Sequence, residues 1–168
     1  MKLLTWKERS PEEAAHFNPA FCGALIFEFV KEFEKSSCSG VEFPLPFCAL
    51  AISMHPKTRG ALPKSTITGL YAWLESNPNV KIGFAERIQN LRPYIQEALR
   101  YSISRNAVFI GEGGELRVGP KRASFTPSFL NNSTSEIKET VSATKKVARW
   151  FSAAGETSSI LAAWGVRL

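Results

Sequence analysis

The stretch that most constrains this chain is NPAFCGALIFEFVKEF, beginning at Asn18. Asparagine is a strong N-cap because its side-chain oxygen satisfies an orphan backbone N–H, and proline at the first helical position has no N–H to strand. From there Phe21, Leu25, Phe29 and Phe33 recur every four residues with Cys22, Ile26 and Val30 beside them, opposite Glu28, Lys31, Glu32 and Lys35. An apolar stripe of that width and period belongs to a helix that buries one face. The rest of the chain must therefore supply a core for it, and Glu28 is expected among the solvated charges.

The loop KSSCSG ends this helix. The next segment, PLPFCALAISMHP, is apolar throughout, so periodicity does not separate a buried strand from a short buried helix. Scarce β-branched residues and proline in the first turn favour the helix. Ser65 or Thr66 is expected to cap a helix carrying Leu70, Trp73 and Leu74, closed by Asn77-Pro78-Asn79. Phe84, Ile88 and Leu91 mark another, which Pro93 either kinks or follows with a new helix bearing Ile95, Leu99 and Ile103. Asn106 is a left-handed stop. Ala107 to Ile110 and Glu115 to Val118 flank the turn GEGG as a hairpin, and residues 120–135 read as a polar, proline-broken loop. Helical spacing resumes from Thr134 through Phe151, breaks at Gly155, and ends in a short apolar turn from Ile160 to Trp164.

The fold class is thus mainly α with a small β-hairpin. Because a helix followed by a hairpin is how a winged helix-turn-helix ends, a winged-helix-like core with additional N- and C-terminal helices is expected. At 168 residues this is one domain: 1–119 helical core with wing hairpin, 120–135 loop, 136–168 C-terminal helices. The apolar runs Ala20 to Val30 and Phe47 to Met54 fall short of the ~20 residues of a membrane span. No secretory or transit pattern opens the chain, and three cysteines at irregular spacing fit neither a disulfide framework nor a CxxC site. A soluble cytoplasmic protein is expected, with Cys22 and Cys48 as small buried hydrophobes.

Catalysis needs positioned acids, bases or metals, and this chain has two His and no Asp. A Ser-His-Asp triad is excluded, His16 and His55 each adjoin a helix start, and GEGG lacks both the GxxxxGK[ST] and the GxGxxG patterns. The expectation is a protein without enzymatic activity, cofactor or metal.

The net charge is +6, and no acid lies between Glu42 and Glu75, where Lys57, Arg59 and Lys64 cluster. Around the hairpin, Arg100 and Arg105 precede it, Arg117 lies in its second strand, and Lys121 and Arg122 follow. Long basic side chains on a helix and its wing reach phosphates without reading sequence. These eight residues are the candidates for DNA or partner contact, against the alternative of a solvated basic face. Trp73 and Trp150 occupy helical core positions and are read as core, not as base-stacking platforms.

Four stretches carry a resemblance that runs nearly end to end: NPAFCGALI at 18–26, HPKTRGALPKSTITGLYAWLESNP at 55–78, FAERIQNLRPYIQEALRYSI at 84–103, and VARWFSAAGETSSILAAWGVRL at the end. Their most specific parts are the Asn-Pro-Ala-Phe start, Thr58-Arg59 and Leu62-Pro63 before a Trp-Leu helix, and the ending from Arg149-Trp150-Phe151 to Gly165-Val166-Arg167. Together they resemble the middle component of bacterial three-component ABC-ATPase systems. The resemblance implies a non-catalytic adaptor between an SMC- or Rad50-like ABC ATPase and a variable effector, often a nuclease, in antiviral or anti-plasmid defence, with nonspecific DNA contact secondary. It also implies a mostly helical fold with a winged-helix-like core. The rival expectation is a free-standing winged-helix transcription regulator, which would bind a defined operator.

Overall fold

Asn18 does what its chemistry dictates: its Oδ1 accepts from the backbone N–H groups of Ala20 at 2.8 Å and Phe21 at 3.3 Å. The computed structural model describes residues 3–166, so Arg167 of the C-terminal motif lies outside the described residues. After a 3-10 turn at Trp6–Glu8, the helices run α1 (Pro11–His16), α2 (Pro19–Ser37), α3 (Leu45–Ser53), α4 (Pro56–Ala61) and α5 (Leu70–Ser76). A second 3-10 turn at Pro78–Lys81 leads into α6 (Phe84–Ser104), then strands β1 (Val108–Ile110) and β2 (Leu116–Val118). The chain closes with α7 (Pro127–Asn131), α8 (Ser135–Ser152) and α9 (Thr157–Ala163). It is mostly helical with one two-stranded antiparallel hairpin, as the sequence predicts. Among the described residues no helix is long and apolar enough to cross a membrane.

The central helix α2 packs against α6 on one side and α8 on the other, and α3 lies against the same two helices. Every residue of α3 is buried, which explains why its sequence is apolar with no period. One contiguous core joins Phe29 of α2, Leu50 of α3, Leu99 of α6 and Phe151 of α8. Trp73 meets Trp150 at 5.0 Å between ring centroids, and Phe84 stacks on Trp164 at 4.4 Å. Both tryptophans read as core are core.

The hairpin pairs Val108 with Val118, Phe109 with Arg117 and Ile110 with Leu116. Its turn needs Gly114, at φ +83°, where a Cβ would be strained. On the far side of β2, Val41 exchanges two backbone hydrogen bonds with Leu116, at 2.9 and 2.7 Å, and so docks the hairpin onto the α2–α3 connection. Asn106 takes the left-handed conformation expected of it, at φ 57°.

Several expectations are corrected. Neither Ser65 nor Thr66 caps α5, which starts from Gly69. The segment before it is held extended because Lys146 Nζ donates to the Pro63 carbonyl at 2.7 Å and Trp150 Nε1 donates to that of Thr68 at 2.8 Å. Of the two readings of Pro93, the new helix is overturned: α6 runs on through Pro93, and its C-terminal half buries Ile95 and Leu99. Residues 120–135 are not all loop: Thr126 Oγ1 accepts from the Phe129 N–H at 3.1 Å and opens α7, repeating the cap-then-proline logic of Asn18-Pro19. This stretch packs on α2, with the Phe125 ring 5.6 Å from Phe21. Glu28, expected in solvent, is buried at 1% exposure on the side of α2 that faces α8. A short N-terminal helix that the sequence reading passed over, α1, is capped by Ser10 and tied to α6 by a two-pronged Arg9–Glu97 ion pair at 2.8 and 2.9 Å.

Candidate functional site

The eight basic candidates separate into two groups by their place in the fold, one around the hairpin and one around α4. Arg105, at the C-cap of α6, is exposed with its guanidinium 5.3 Å from the Tyr101 ring centroid. Lys121 and Arg122 are exposed too, and the backbone N–H of Lys121 donates to the Asn106 carbonyl at 3.0 Å, which fixes that segment beside the end of α6. Arg100 is exposed but five positions before Arg105, about 140° around a helix, so the two do not share a face. Arg117 is committed locally: its Nε meets Glu115 Oε1 at 2.7 Å and a terminal nitrogen lies 3.7 Å from Glu34 Oε1. The Glu115 hydrogen bond holds the Arg117 guanidinium above its ordinary range and, reciprocally, Glu115 below its own. Phe109 and Ile110 of β1 leave apolar side chains exposed next to this basic edge.

In the second group, Lys57 and Lys64 are exposed, whereas Arg59 is buried and satisfied. Its NH1 donates to the Ser53 carbonyl at 3.0 Å, and it lies 3.4 Å from Glu136 Oε1 and 3.7 Å from Glu139 Oε2. Arg59 is therefore not available as a contact residue. Sequence reasoning missed Arg87, whose NH1 donates to the Ala51 carbonyl at 3.4 Å and to Thr58 Oγ1 at 3.3 Å. Arg59 and Arg87 together place two guanidinium groups on the last-turn carbonyls of α3, where positive charge is favoured. Part of what reads in the sequence as a nucleic-acid patch is thus the C-terminal cap of a buried helix.

Three of the chemically capable side chains, His55, Cys22 and Cys48, serve structure. His55 caps α4: its Nδ1 accepts from the Thr58 N–H at 3.2 Å and lies 2.8 Å from Thr58 Oγ1. Burial pushes the Cys22 and Cys48 thiols up to about 12, so neither is a thiolate at neutral pH. No group of three His, Cys, Asp or Glu able to hold a metal occurs among the described residues. A groove of about 540 Å³ between α3, α6 and α9 is lined by Phe47, Ile88, Leu161 and Arg92 among others.

Partial burial, then the charges of Arg87, Lys57 and Arg59, lower the pKa of His55. The folded-state value lies below the unfolded one, so the linked stability is fully present above about pH 6.5 and is lost as pH falls through the folded value. Acidification from about pH 8 to about pH 5 is expected to lower the denaturation midpoint. His55→Asn, which keeps a capping oxygen and does not titrate, should lose less over that interval; an equal loss in both would remove His55 from the account.

Fold and surface define a class: a mostly helical protein with a small antiparallel hairpin, histidine and buried cysteine engaged in capping and core, and a basic, partly apolar edge beside the hairpin. Residues 6–168 match the family model described as ABC-three component (ABC-3C) system Middle Component 3. The chain belongs to that family and is by that membership a middle component of an ABC-three component system. No curated protein and no solved structure matches it.

Proposed function

We propose that this middle component is a non-catalytic cytoplasmic adaptor that bridges an SMC- or Rad50-like ABC ATPase and an effector subunit, such as a nuclease, in defence against viruses and plasmids. The observation that carries the reading is the family match over residues 6–168. The absence of catalysis is supported by where the reactive groups sit: His55 is bound into a helix cap, and the Cys22 and Cys48 thiols lie far above the range of a nucleophile.

A winged-helix-like core is supported by element order. Helix α2, the bridged residue Val41, α3, α6 and the hairpin follow one another with β2 between Val41 and β1, and α4 and α5 are inserted between the second and third helices. DNA contact, in this reading, is to phosphates through Arg105, Lys121 and Arg122, with Arg117 held back by its two glutamates. Such contact is blind to sequence and sensitive to salt.

Co-expression with the ATPase and effector subunits of its own system should yield a complex on affinity capture, while the lone chain turns over neither ATP nor DNA. Charge reversal at Arg105, Lys121 and Arg122 should weaken binding to all duplexes equally and flatten the salt dependence. Failure to capture either subunit would overturn the adaptor reading. One preferred duplex bound by the lone chain would favour a winged-helix transcription regulator instead.

A further inference from the structure

We propose that Arg87, Lys57 and the His55 ring form a binding site for a phosphate group, at the junction of α4 with the first turn of α6 and separate from the basic edge of the hairpin. Arg87 is the anchor. Its guanidinium lies over the Phe84 ring at 5.6 Å from the centroid and uses NH1 alone for its two protein contacts, both long, at 3.3 and 3.4 Å. Nε and NH2 make no hydrogen bond among the described residues, and neither is sealed from solvent. A planar fork with two parallel donors to spare is the geometry that takes an oxyanion bidentately.

The surroundings are those of an unanswered charge. Arg87 is half-buried, and no carboxylate lies within ion-pair distance of it or of Lys57 among the described residues. The two nearby acids on α8, Glu136 and Glu139, are engaged by Arg59. Thr58 Oγ1 links Arg87 to His55 Nδ1, at 3.3 and 2.8 Å, and leaves the imidazole Nε2 without a partner. Burial first, then the charges of Arg87, Lys57 and Arg59, lower the pKa of His55, so three cations bear on the ring beside the Arg87–Thr58–His55 chain of contacts. A single carboxylate would answer one of these charges. A phosphate, with up to two charges and several acceptor oxygens, answers a guanidinium, an ammonium and an imidazole at once.

With only two histidines in the chain, NMR of the ring protons reads the site directly. Titration with inorganic phosphate, at ionic strength matched with sodium chloride, should move the His55 signals saturably and raise the His55 pKa while His16 stays in place. Lys57→Ala alters an exposed side chain and should leave the fold intact while weakening phosphate about tenfold. Arg87→Lys keeps the charge without the fork and should weaken it by a similar factor. A short duplex that produces the same shift and competes with phosphate identifies the source as a nucleic-acid backbone. A response to phosphate with none to duplex identifies a free phosphate or nucleotide-type ligand. No saturable shift at His55, a shift reproduced by chloride, or one undiminished in Lys57→Ala would overturn the site.

Discussion

Phe29→Ala is expected to cost about 4 kcal/mol of folding stability, which for a domain of this length lowers the thermal midpoint by roughly 12 °C. Phe29 has no exposed surface and sits at the middle of α2, its ring 6.1 Å from Phe33 and 6.2 Å, edge-on, from Phe151 of α8. Truncation removes the transfer free energy of the ring and leaves a cavity between two helices that the rest of the core holds apart. Interiors packed like organic crystals relax only partly into such a void. Lys35→Ala, at an exposed position of the same helix, controls for helix propensity and should stay within about 0.5 kcal/mol of the parent. A Phe29→Ala midpoint within error of that control would mean that the stripe on α2 is not what holds α8 in place.

The stripe was legible because its determinants are local. Asn18, Pro19 and the four-residue recurrence of phenylalanine fix a cap, a first turn and a buried face without reference to any distant residue. Asn106 and the glycines of the hairpin turn are legible for the same reason, since backbone sterics act within a few residues. The all-buried α3 is a harder case: a helix covered on every side carries no period, and only its length and proline placement distinguish it from a strand. Thr126-Pro127 carried the same signal as Asn18-Pro19 and was lost among the polar residues around it.

What the sequence does not display is which charge goes inward. Arg59 and Lys57 sit two apart in one basic cluster, yet the first is buried against the Ser53 carbonyl of α3 and carboxylates 77 and 80 positions away in α8, and the second stays in water. Arg87 precedes Ile88 in an ordinary amphipathic repeat, and nothing local reveals that it reaches back to Ala51. The candidate site was therefore half legible. Arg105, Lys121 and Arg122 lie in the open as charge patterning suggests, whereas Arg59 and Arg117 are tied to glutamates. Ser65 and Thr66 fail as caps for a related reason: the carbonyl of Thr68 is held by Trp150 Nε1, an interaction 82 residues distant.

Glu28→Met is expected to stabilise the protein, by about 1–3 kcal/mol. Both carboxylate oxygens of Glu28 are buried and accept no hydrogen bond. Among the described residues its charge partners are Lys145 Nζ at 3.3 Å, without hydrogen-bond alignment, and Lys31 Nζ at 3.7 Å, which also donates to Ser124 Oγ at 3.2 Å. Coulomb attraction of that kind offsets only part of the desolvation of a carboxylate in the seam between α2 and α8. The substitution is asymmetric in a way that fixes the sign. The side chains of Lys31 and Lys145 are 43% and 33% exposed, so both turn to water when the acid is removed and no buried charge remains. Lys145→Met does the reverse: it leaves the carboxylate buried with one weak partner and should destabilise. Methionine matches the length of glutamate and adapts to the gap. Denaturant midpoints of the two single variants measure both signs, and a Glu28→Met protein less stable than its parent would mean that the Lys31–Glu28–Lys145 triad is net favourable as it stands. If the variant is more stable but captures the ATPase or effector proposed as its partners less well, the buried acid is retained for recognition at the expense of stability, and the α2–α8 seam joins the proposed contact surfaces.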